Sequence, residues 1–155
     1  MLKIYFEKVN HGIKLEKPKY ETSFSSGMDL KAAINQTVEI KVDEIKLIPS
    51  GIKLIIPQGY EGQIRSRSGL ALNFGIVVLN SPGTIDSDYR GEIGVILKNH
   101  GKSVFQIEPG MRIAQLVFAS VIKCTMEETK INSFETQRNN KGFGSTGLKL
   151  RDNDD

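Results

Sequence analysis

The chain has no tryptophan, one cysteine, two histidines and five prolines among its 155 residues. A single thiol excludes an internal disulfide framework and agrees with a reducing compartment; Cys124 reads as a small buried apolar residue, not a nucleophile. His11 and His100 show no ligand-like spacing, so a protein-held zinc site is not expected. Long apolar runs are missing too. None exceeds four residues, as at 76–79, against the ~20 needed to cross a bilayer. The opening MLKIYFEKVN alternates charged and apolar residues, unlike a secretory signal or a transit peptide. The net charge is only +3, and all of it is carried by residues 1–19. That is a solvated basic edge, with no nucleic-acid partner implied. The expectation is a soluble, cytoplasmic protein with no membrane partner.

What is present is a two-residue rhythm. Leu2, Ile4 and Phe6 alternate with Lys3, Tyr5 and Glu7, the pattern of a strand with one buried face. Short runs follow at 28–34, 36–41, 45–48, 51–56, 60–65, 76–80, 92–98, 103–107 and 112–122. Turn signals separate them: PSG at 49–51, PQG at 57–59, SPG at 81–83, NHG at 99–101 and EPG at 108–110. Many short strands at this spacing predict an all-β sandwich, barrel or jelly roll. Only SGLALNFG at 68–75 reads as helix, with Ser68 as N-cap and Gly75 as the stop. The composition changes near Thr136, after which Gly, Asn and charged residues dominate. The expected organisation is one β domain over 1–136 and a flexible C-terminal arm over 137–155.

Two formal nucleotide motifs fail on context. Gly142 to Gly147 matches G-x-G-x-x-G, but no helix follows within a βαβ unit. Gly101-Lys102-Ser103 ends like a P-loop, yet the required earlier glycine falls on Ile96. Two other stretches carry chemistry. Arg65, Ser66, Arg67, Ser68 and Gly69 put two guanidiniums and two hydroxyls where a strand enters the short helix. They either bind phosphate or line a solvated strand face. In NSPGTIDSDYRG at 80–91, Asp86 and Asp88 stand beside a tyrosine and an arginine. The set suits a general base, a Mg²⁺ site or a polar turn, and spacing does not choose between the aspartates.

Five stretches in order resemble the trimeric dUTP diphosphatase (dUTPase) family. They are SGMDLKAA at 26–33, RSRSGLALNFGI at 65–76, LNSPGTIDSDYRGEIGV at 79–95, GMRIAQLVF at 110–118 and RNNKGFGSTG at 138–147. Departures from the family pattern are Ser66 for a frequent proline, Met111 for a frequent aspartate, and Asn139 and Lys141 for frequent glycines. The resemblance implies a jelly-roll, β-clip-like distorted barrel that hydrolyses dUTP to dUMP and pyrophosphate. Such an activity limits uracil in DNA and supplies dUMP for dTTP synthesis.

The resemblance also assigns roles. Asp86 is the general base for a water attacking the α-phosphorus, and Tyr89 packs under the deoxyribose and excludes a ribose 2′-hydroxyl. Asn80 bonds uracil, Gly83 lets backbone approach the base, and Thr84 belongs to the same substrate-binding hairpin. Arg67, Ser68 and Gly69 contact phosphates, and Gln115 contacts the α-phosphate or makes a structural hydrogen bond. In the arm, Arg138 clamps the γ-phosphate, Phe143 stacks over uracil, Ser145 and Thr146 bond phosphate oxygens, and Gly144 is a further substrate-binding residue. Mg²⁺ rides on the triphosphate, with Asp29 linked to it through water. The implied assembly is a homotrimer with shared active sites. Two rivals remain: a dCTP deaminase of the same fold, and a non-catalytic jelly-roll binding or assembly protein. The deaminase carries a glutamate ten positions after the hairpin aspartate, where this chain has Ile96.

Overall fold

The computed structural model describes residues 2–131 and 136–142. It contains one compact unit over Met1–Ile122 and another over Lys123–Asp155. The first unit opens with β1 (Tyr5–Lys8), a 3-10 turn (Asn10–Gly12), β2 (Met28–Lys31), β3 (Val38–Ile40), β4 (Ile45–Pro49), β5 (Ile52–Ile55) and β6 (Tyr60–Arg65). The helix α1 (Ser68–Phe74), the one α-helix among the described residues, leads to β7 (Ile76–Val78), β8 (Gly83–Ile85), β9 (Gly94–Asn99), β10 (Phe105–Ile107) and β11 (Arg112–Ser120). Every pairing is antiparallel, in sheets ordered β1-β5, β10-β3, β2-β11-β6-β8 and β4-β9-β7. The ladders do not close on themselves, so this is an all-β jelly roll with open sheets and one short helix.

Alternation along the strands builds the core. In β9, Val95, Leu97 and Asn99 turn inward while Ile96 and Lys98 turn out. Leu30, Ile40, Ile48, Ile93, Ile107, Ile113 and Leu116 complete a continuous apolar centre. Asn99 is fully buried and satisfied: its amide donates to Ile40 O and Ser103 O and accepts from Gly101 N–H. It thereby fastens the end of β9 to β3 and to the turn before β10.

Three expectations need correction. The Leu2, Ile4 and Phe6 face is not buried, because Leu2 and Phe6 are exposed and only Ile4 is half-buried. This strand pairs only with β5 at a sheet edge, so periodicity alone overstated its burial. Ser68 is the first residue of α1; Arg67 holds the N-cap position, with no side-chain cap bond. Gly75 does stop the helix, in the left-handed region at φ 69°, and its N–H bonds Ala71 O. Cys124 is exposed, not buried.

Candidate active site

The hairpin between β7 and β9 wraps a cavity of about 310 Å³. Asn80, Gly83, Thr84, Asp86 and Tyr89 all line it, with Leu47, Ile64, Val78 and Ile96 as apolar walls and Glu92 at its margin. The five sequence-chosen residues meet because β8 pairs with β6, setting Gly83 opposite Ile64 and Thr84 opposite Gln63. β8 itself was not read from the sequence, since its Gly-Thr-Ile lies within a run of turn-forming residues. A Cβ on Gly83 would stand 3.0 Å from Asn80 Nδ2, so glycine there leaves the amide its room.

After β8 the chain turns tightly. Tyr89 N–H donates to Asp86 O at 3.2 Å, and Arg90 Nη1 donates to Ser87 O and Tyr89 O. The tyrosine hydroxyl donates to Glu92 O at 3.0 Å. This turn separates the two aspartates that spacing left equivalent. Asp86 lines the cavity, and Asp88 is not among the residues that do.

The second group of candidates lies elsewhere. Asp29, Arg67, Ser68, Gly69 and Gln115 line a polar depression of about 460 Å³, together with Arg65 and Ser66. Register explains it: Gln115 of β11 stands opposite Asp29 of β2 and Arg65 of β6, a cross-strand row on one face. Arg67 Nε bonds Asp29 at 3.0 Å and Arg112 approaches it at 3.4 Å, so two guanidiniums hold this largely buried carboxylate. Gln115 Nε2 donates to Ser66 O at 3.2 Å, so the structural hydrogen bond weighed from the sequence is present. Ser66, a departure from the family pattern, accepts Val78 N–H at 2.8 Å and ties the helix entry to β7. Above Gly69 the space is open; a Cβ there would meet nothing within 4 Å.

No residue lines both pockets. Ile64 belongs to the first and Arg65 to the second, and successive strand residues point to opposite faces. Thr84, level with Gln63, also lines the first, so that cavity wraps the β8 edge of the sheet, while the depression lies over Asp29, Arg65 and Gln115.

In the second unit, Arg138 Nε donates to Lys141 O and Lys141 N–H returns a bond to Arg138 O, both at 3.0 Å. Asn139 closes this turn at φ 49°. That is a left-handed angle which Asn tolerates better than other side-chain-bearing residues, so it fills a place where glycine is frequent. Phe143, Gly144, Ser145 and Thr146 lie outside the described residues. Among the described residues no three His, Cys, Asp or Glu side chains converge as a metal cage. No helix there is long and apolar enough to cross a membrane. Glu92 was missed from the sequence, because its role depends on contacts with residues some forty and eighty positions away.

Comparison with known proteins agrees with this arrangement. The dUTPase family model matches residues 14–147. The deoxyuridine 5'-triphosphate nucleotidohydrolase of Chlamydia muridarum is 52% identical over 143 residues, covering 92% of this chain and 97% of that protein. That of Rickettsia prowazekii is 56% identical over 131 residues, covering 84% and 88%. The dUTPase of Staphylococcus bacteriophage 80alpha with dUPNHPP superposes with a TM-score of 0.84 at 24% identity, covering 94% of this chain and 99% of that one. A variant dUTPase from phage phi11 of S. aureus, with a coordinated structural Mg(II) ion, gives 0.73 at 21% identity over 83% and 97%. With its motifs in order, its jelly roll and these relatives along most of its length, the chain belongs to the dUTPase family.

Proposed function

We propose that the chain hydrolyses dUTP to dUMP and pyrophosphate with Asp86 as the general base. The observation that most supports this is one cavity that gathers a carboxylate, an aromatic ring, an amide and a glycine packed closely against that amide. Asp86 orients a water and takes its proton as the oxygen attacks the α-phosphorus. The bond from that phosphorus to the bridging oxygen breaks, and pyrophosphate leaves with the bond's electrons. Asn80 reads a uracil edge, Gly83 and Thr84 bring hairpin backbone to the base, and Tyr89 walls off a ribose 2′-hydroxyl. A volume of about 310 Å³ suits a nucleoside.

Arg67, Ser68, Gly69 and Gln115 are the proposed phosphate contacts. The donor set there is guanidinium, hydroxyl and amide, and Asp29 is already held by Arg67 and Arg112. Such a set fits Mg²⁺ carried on the triphosphate oxygens, with Asp29 meeting it through water, better than an ion caged by protein. When bound, the ion neutralises phosphate charge. One nucleotide must reach both pockets, yet within one subunit they share no lining residue. This supports a homotrimer in which the cavity of one subunit faces the depression of its neighbour. The arm over 137–155, with Arg138, Phe143, Gly144, Ser145 and Thr146, then closes over bound nucleotide. A role in limiting uracil in DNA and supplying dUMP for dTTP synthesis follows from the reaction, and the cytoplasm is its proposed place.

The test is steady-state pyrophosphate release from dUTP, with dCTP, dTTP and UTP as controls. Turnover of dUTP alone is expected. Ammonia release from dCTP would favour the deaminase reading, against which Ile96 stands as an apolar strand residue.

A further inference from the structure

The ring of Tyr89 is placed by its own turn. Its hydroxyl donates to Glu92 O at 3.0 Å, and a Cβ on Gly91 would stand 2.3 Å from that hydroxyl oxygen. The ring therefore lies over Gly91, and its position depends on where the backbone of 91–92 is held. That backbone is anchored by one side chain together with the backbone bonds of Ile93. Glu92 Oε1 accepts Gly51 N–H at 2.8 Å and meets His11 Nε2 at 2.7 Å. A single carboxylate oxygen thus ties the hairpin to the β4–β5 turn and to the 3-10 turn. Those two segments are locked to each other. Val9 N–H donates to Gly51 O at 2.9 Å, and a Cβ on Gly12 would stand 2.3 Å from that same oxygen. Ile93 N–H, in the same peptide unit as Glu92 O, bonds Ile52 O at 2.9 Å, and Ser50 N–H bonds Ile93 O at 3.0 Å, so backbone pairing sets the plane of that carbonyl and the Glu92 carboxylate fixes the residue that carries it.

We propose that Glu92, braced by His11 and Gly51, is a positioning residue that keeps Tyr89 rigid enough to discriminate between sugars. This rests on the reading of Tyr89 as the wall against a 2′-hydroxyl. A wall rejects an extra hydroxyl only to the extent that moving it is costly, since a ring free to swing aside admits the larger sugar. The ring is 45% exposed, so surrounding packing alone does not confine it. Its own hydrogen bond to an anchored carbonyl does.

The experiment measures kcat/KM for dUTP and UTP, with thermal unfolding, in Glu92→Ala, Glu92→Gln, Gly91→Ala and His11→Ala. Each is also made in a Tyr89→Ala background. Glu92→Ala is expected to lower the dUTP-over-UTP preference about tenfold, the scale of a charge-assisted hydrogen bond. Glu92→Gln retains it, because the amide oxygen accepts from the same two N–H groups. Gly91→Ala lowers it by pushing the ring from its seat, and His11→Ala, a surface change, lowers it less. In the Tyr89→Ala background none of the four changes the preference further. If Tyr89→Ala loses the preference while Glu92→Ala, or Gly91→Ala should the former not fold, keeps it, the proposal is overturned and the reading of Tyr89 stands. If Tyr89→Ala itself keeps the preference, that reading fails and the proposal falls with it.

Discussion

Two inactive variants should restore each other's activity when mixed. Asp86→Asn disables the cavity, and Arg67→Ala disables the polar depression, which shares no lining residue with it. Neither change threatens the fold. Asp86 is exposed and contributes its backbone oxygen to the turn, and without Arg67 the Asp29 carboxylate still has Arg112 at 3.4 Å. If each active site joins one subunit's cavity to the next subunit's depression, a trimer containing both variants has one interface where both halves are intact. Random assembly from equal amounts makes about three-quarters of trimers mixed, with one good site in three, so about a quarter of the full site count returns. The two chains would be co-refolded with different affinity tags, the mixed species purified on both, and pyrophosphate release measured. Each parent alone should run at about 10⁻² of the unsubstituted rate or lower. Mixed trimers that form but show only the parents' residual rate would refute the reasoning, and would place the whole site within one chain.

Asp86→Asn alone should lower kcat by ~10²–10⁴ while nucleotide affinity stays within about tenfold, whereas Asp88→Asn, outside the cavity, should be nearly silent; parallel kinetics and calorimetric titration check both. Ser66→Ala removes the acceptor for Val78 N–H and should cost about 1–3 kcal/mol. Read by thermal unfolding, that is a loss of about 2–4 °C per kcal/mol. Truncation after Thr136 should leave a folded trimer by light scattering with little dUTPase activity. It removes the arm motif, including Arg138, but none of the apolar centre. A truncated chain with full activity would leave the arm without a role.

Strand content was legible where burial follows a period of two, as along β6 and β9 inside their sheets, and less so along β11, whose register shifts between Arg112 and Ala114. The runs at 45–48, 60–65 and 92–98 correspond closely to β4, β6 and β9, and each alternates inward and outward. The rhythm misled at residues 2–6, where an edge strand leaves its apolar face uncovered in this chain. Periodicity reports which face is apolar, not whether anything packs on it. The Ser68 error has a similar origin. Capping preference is a local signal, and here it lost by one residue to the bonds that Ser66 and Arg67 make across the sheet.

The candidate site divides along the same line. The hairpin candidates, Asn80 to Tyr89, are near neighbours in sequence, so a local motif named them and β6–β8 pairing brought them to one cavity. Spacing left Asp86 and Asp88 equivalent and the family resemblance named Asp86; the turn then brings Asp86, and not Asp88, to the cavity wall. Asn139 illustrates the reverse case. Its identity departs from a frequent glycine, yet φ 49° is a left-handed angle that asparagine takes more readily than other side-chain-bearing residues. Glu92 had no local signature at all. Its carboxylate matters because Gly51 and His11 converge on it, and convergence of distant segments is what a single sequence does not display. The chemistry-bearing side chains are thus written locally, while the parts that hold them still are written in long-range contacts.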